Sequence, residues 1–94
     1  MTEWSVLIEA VGSVQDPDRV ADELMDALEP FGVVVGMTDT KCSVRLAMEA
    51  DSPENAVKLS WNEMRPFLAG QWTVVHVEVT EWHTFASAMP VVDQ

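Results

Sequence analysis

The sequence is short of several things at once. Its 94 residues hold one cysteine, four glycines, no tyrosine, and five basic residues against sixteen acids, for a formal net charge of −11. A single cysteine, Cys42, makes no internal disulfide and offers no metal-ligand spacing, so the expected setting is the cytoplasm. The bases Arg19, Lys41, Arg45, Lys58 and Arg65 are scattered and form no stripe. Nucleic acid is therefore not an expected partner, because neutralising phosphates takes clustered Lys and Arg. The longest run without a charged residue, Pro66 to Val77, is too short to span a bilayer, and Met1-Thr2-Glu3-Trp4 lacks the basic and apolar regions of a secretion signal. No membrane partner is expected either. There is no glycine-rich phosphate loop and no serine in a nucleophile-elbow context, which argues against an enzyme and against a bound cofactor. What is present is apolar: 48% of the chain is hydrophobic, too much for a disordered acidic tail and enough for the core of one small domain.

That apolar content is arranged as a doubled unit. Asp16-Pro17-Asp18 and Ser52-Pro53-Glu54 each place a capping side chain before a proline and an acid, the start signal of a helix. Glu29-Pro30-Phe31 and Arg65-Pro66-Phe67 repeat downstream. Pro17 to Pro30 and Pro53 to Pro66 both span 13 positions, and the two units are offset by 36. Helices are expected over roughly 17–29 and 53–68, with Pro66 bending or shortening the second. Trp4, Val6, Ile8 and Ala10 alternate with Glu3, Ser5, Leu7 and Glu9 ahead of the first helix, and Val44, Leu46, Met48 and Ala50 alternate with Ser43, Arg45, Ala47 and Glu49 ahead of the second. This period of two marks strands with one buried face. Val33-Val34-Val35 and Val74, Val75, Val77 and Val79 supply a strand after each helix, and Thr38 to Lys41 reads as a hairpin turn.

The order β-α-β-β-α-β predicts an α+β, ferredoxin-like plait: an antiparallel sheet of order 4-1-3-2 with both helices on one face. Residues 1–82 form this domain and residues 83–94 a C-terminal tail. The inward set is Val6, Ile8, Ala10, Val44, Leu46, Met48, Val75, Val77 and Val79. Trp4 and Trp61 are expected largely buried, and Trp82 more exposed.

Three stretches carry a family likeness: Asp26 to Gly36, Ser43-Val44-Arg45-Leu46, and Trp72 to Val79. On these the chain resembles a small actinobacterial domain of uncharacterised function often found ahead of a helix-turn-helix segment. The resemblance implies the fold through packing residues, and no helix-turn-helix pattern follows here. The turn Val11 to Asp18 also resembles that of ACT-type regulatory domains, which implies an amino-acid ligand at a dimer interface, although Asp18 stands where that turn has glycine.

Two surfaces are candidate sites. The sheet face away from the helices is expected to present Leu7, Val11, Arg45, Val74, His76 and Trp82, an apolar group bounded by charge, which is the make-up of an interface. On the same face Glu9, His76 and Glu78 are a candidate metal cluster, since imidazole and carboxylates together ligate divalent cations. The acidic side of the first helix, Asp18, Asp22, Asp26 and Glu29, would suit a basic protein partner. The expected function is a non-enzymatic interaction or regulatory module acting as a homodimer. The alternatives are an amino-acid-sensing domain of ACT type and an acidic decoy for a nucleic-acid-binding protein.

Overall fold

A computed structural model describes residues 2–68 and 70–81. The chain runs β1 (Thr2–Val11), α1 (Pro17–Ala27), β2 (Val34–Met37), β3 (Lys41–Ala50), α2 (Pro53–Met64) and β4 (Thr73–Glu81). Short 3-10 turns at Glu29–Phe31 and Arg65–Phe67 close the two helices. The four strands form one antiparallel sheet in the order β2-β3-β1-β4, which counted from the β4 edge reads 4-1-3-2. The architecture fits a ferredoxin-like plait.

Both helices begin as their capping residues dictate. The Asp16 carboxylate accepts from the Arg19 N–H at 3.3 Å, and the Ser52 hydroxyl oxygen accepts from the Asn55 N–H at 3.2 Å. Pro17 and Pro53 follow, where no N–H is needed. Each helix ends earlier than hydrophobic spacing alone suggests, at Ala27 and at Met64. Pro30 and Pro66 cannot donate to the preceding turn, so the backbone tightens into the 3-10 turns instead. After the first of these, Gly32 adopts a left-handed conformation, φ 66° and ψ 46°, and swings the chain into β2.

Val6, Ile8, Ala10, Cys42, Val44, Leu46, Met48 and Ala50 line the sheet's inner face, and Leu24, Leu28, Ala56, Met64 and Leu68 close over them. Trp4 and Trp61 are half-buried against this core, less covered than expected. The Trp4 indole N–H donates to the Ala50 carbonyl at 3.1 Å, tying the ends of β1 and β3 together. Ser60 is fully buried, and its hydroxyl is satisfied by donating to the Ala56 carbonyl at 2.7 Å.

The inward set needs one correction, at β4. The register slips between Glu9 and Ala10: Glu9 faces His76, but Ala10 faces Val74, leaving Val75 as the extra residue of a β-bulge. Val74 is thereby moved off the open face to the row of Ala10, and Val75 is 54% exposed. Val77 keeps its place opposite Ile8 yet is 39% exposed, because β4 is the sheet's edge. Trp82 and the tail 83–94 lie outside the described residues.

Candidate functional site

Antiparallel pairing sets the open face in rows across β3, β1 and β4. Ala47, Ser5 and Thr80 form one row, Arg45, Leu7 and Glu78 the next, Ser43, Glu9 and His76 the third, and Lys41, Val11 and Thr73 the last. Of the residues expected there, Leu7, Val11, Arg45 and His76 are in place, Val74 is not, and Trp82 is outside the described residues. Leu7 is half-buried between the flanking charges of Arg45 and Glu78, while Val11 is 41% exposed.

The polar groups of this face are loosely engaged. Arg45 Nη1 donates to the Ser5 hydroxyl oxygen at a long 3.5 Å. His76 Nε2 lies 2.8 Å from Glu78 Oε2, both side chains open to solvent. That hydrogen bond from His76 holds the Glu78 carboxyl below the usual carboxylate range, helped by the nearby charges of His76 and Arg45. Glu9 faces His76 directly, but Glu78 belongs to the Leu7 row, one step along the strand. Among the described residues no three His, Cys, Asp or Glu side chains come together as a cation site, so Glu9, His76 and Glu78 share a face without forming a ligand shell.

The strip on the helix side of β4 is different in kind. Val74, Val75 and Val77 are 40%, 54% and 39% exposed and stand side by side along an edge strand. Sequence alternation assigns Val75 and Val77 to the core and Val74 to the open face, because nothing in the pattern says that β4 is an edge strand or where its bulge falls. The adjacent Val74-Val75 pair was the signal for it: two successive apolar residues break strict alternation where the bulge falls.

An open cleft of about 780 Å³ lies beside β3, between the Pro30–Gly32 turn and the segment Arg45–Glu49. It exists because β2 pairs with β3 only from Cys42 to Arg45, so among the described residues β3 beyond Arg45 has no strand neighbour on that side. The acidic side of α1 is exposed along Asp18, Asp22, Asp26 and Glu29, with Met25 (40% exposed) among them and Arg19 reaching Glu23 at 3.5 Å. In the Val11–Asp18 turn, the Gly12 and Val14 N–H groups donate to the Thr40 and Asp39 carbonyls, both at 3.0 Å. Those amides bind the neighbouring hairpin. Among the described residues, no helix is long and apolar enough to cross a membrane.

Among the described residues, fold and surface together define a small α+β domain with one sheet face and one apolar strand edge that no other element covers. No family model, curated protein or solved structure matches the chain.

Proposed function

We propose that this domain is a non-enzymatic interaction or regulatory module of the cytoplasm that works as a self-associated pair. The observation that carries the reading is the strip Val74, Val75 and Val77, uncovered along an edge strand. Exposed apolar groups of this kind, rimmed by charge, are where protein surfaces meet. The polar and charged groups here are His76 and Glu78, which alternate with these valines along β4. Light scattering at 0.15 M salt tests the reading. A mass of about twice 10.4 kDa is expected, and a mass near 10.4 kDa at high protein concentration overturns it.

Met25 favours a second surface for a different partner. An exposed apolar side chain amid Asp22, Asp26 and Glu29 gives the acidic side of α1 a contact point that pure solvation does not require. A basic protein is the chemistry that fits it. Pull-down from native cytoplasm with Met25→Glu as the control reads this out: capture of one basic protein by the parent but not the variant supports it, and equal capture by both removes it. A rise in melting temperature with free amino acids would instead move the function to the ligand-sensing class.

A further inference from the structure

The proposed self-association leaves open which surface pairs and in what register, and the β4 edge carries a specific answer that rests on that reading. β4 has β1 on one side and no neighbour among the described residues on the other. Such an edge presents a row of N–H and C=O groups to any strand that can align with it. No lysine or proline lies between Thr73 and Glu81, and the one interruption of regular pairing in that span is the bulge at Val75. We propose that β4 pairs antiparallel with β4 of a second copy, on a two-fold axis through Val77.

The side chains select this register over its neighbours. With the axis at Val77, Val77 meets its own copy, Val75 meets Val79, and His76 of each chain stands opposite Glu78 of the other. The valines then form a continuous apolar row on the helix side, and the imidazole of each chain meets a carboxylate of the other on the open face. Cross-strand pairs of both kinds are favourable. Moving the axis to Glu78 sets two carboxylates against each other, which is destabilising. Moving it to His76 sets two imidazoles together and places Glu78 against Val74. Of these three axes, only that at Val77 matches every pair from Val75 to Val79. It also places both pairs of helices on one side of a joined eight-stranded sheet, because a two-fold axis perpendicular to the sheet keeps each face on its own side.

The test uses the full chain with Val77→Cys, oxidised or bridged by a short bis-maleimide. A residue on the axis meets itself at a Cα separation of about 4.5–5.5 Å, within the range a disulfide spans. Val34→Cys is the control, because Val34 is 65% exposed on the opposite edge of the sheet. Cys42 is fully buried and stays silent. The expected result is a covalent dimer from Val77→Cys and little or none from Val34→Cys. His76→Glu, which sets Glu against Glu78, is expected to weaken dimerisation about ten-fold or more with an unchanged far-ultraviolet spectrum, whereas His76→Lys retains it. If the parent is dimeric by light scattering but Val77→Cys fails to cross-link, or Val34→Cys does so equally well, the β4 axis is wrong and self-association stands. A parent that is monomeric throughout overturns both.

Discussion

Of the four glycines, Gly12 has the least room for a side chain. A Cβ built on it would lie 2.4 Å from Trp72 Cδ2, far inside contact distance, because the indole lies flat over that glycine. The requirement here is close approach and not an unusual backbone angle. Gly12→Ala is expected to cost about 1–3 kcal/mol in urea unfolding, with a shift in tryptophan emission as the indole is displaced. Cys42 is constrained by solvation. Burial pushes its thiol up to about 11, so it stays protonated and unreactive in the folded state. A folded-state pKa above the unfolded one favours folding below the unfolded value and loses that benefit as pH rises toward the folded value. Stability is therefore expected to fall between about pH 9 and 11, by on the order of 2 kcal/mol, in a pH series of thermal melts. Cys42→Ala, though less stable at neutral pH, should show a shallower decline.

At the level of elements, the caps and prolines explain most of what the sequence foretells. Ser52→Ala removes the oxygen that accepts the Asn55 N–H, and a loss of about 1 kcal/mol is expected in chemical denaturation. Asp-Pro and Ser-Pro are local signals, so both helix starts are readable from neighbouring residues alone. The same holds for the hairpin turn, where the Thr38 hydroxyl oxygen accepts from the Thr40 and Lys41 N–H groups. The bulge at Val75 is not local. It depends on how β4 docks against β1, and the run Val74-Val75-His76-Val77 is compatible with either register until that partner is known. For the same reason the open-face residues of β1 and β3, Leu7, Val11 and Arg45, are legible from alternation, while Val74 is misplaced by one slip. The cleft beside β3 is illegible for another reason: it is made by a strand ending, at a turn set by Gly32.

Across the whole molecule, charge opposes assembly. Two chains each carrying −11 repel, and salt screens that repulsion over distances beyond about 8 Å at 0.15 M. Dimerisation is therefore expected to tighten several-fold between low and physiological salt, measured by sedimentation equilibrium. A contact held mainly by Arg45 with the acids of a second copy would weaken over the same range. The sheet order has a further consequence, in time. β1 is central, bonded to β3 on one side and β4 on the other, with Trp4 opposite both Met48 and Glu81. Of these four strands, the one synthesised first thus waits for the one synthesised last before both its edges are satisfied. Closing such distant pairings is slow, and contacts of this range dominate the sheet. On the ribosome, a nascent chain that has exposed only residues up to Leu68 holds β1 with one edge open, and protease resistance of β1 is expected to appear only after β4 has emerged.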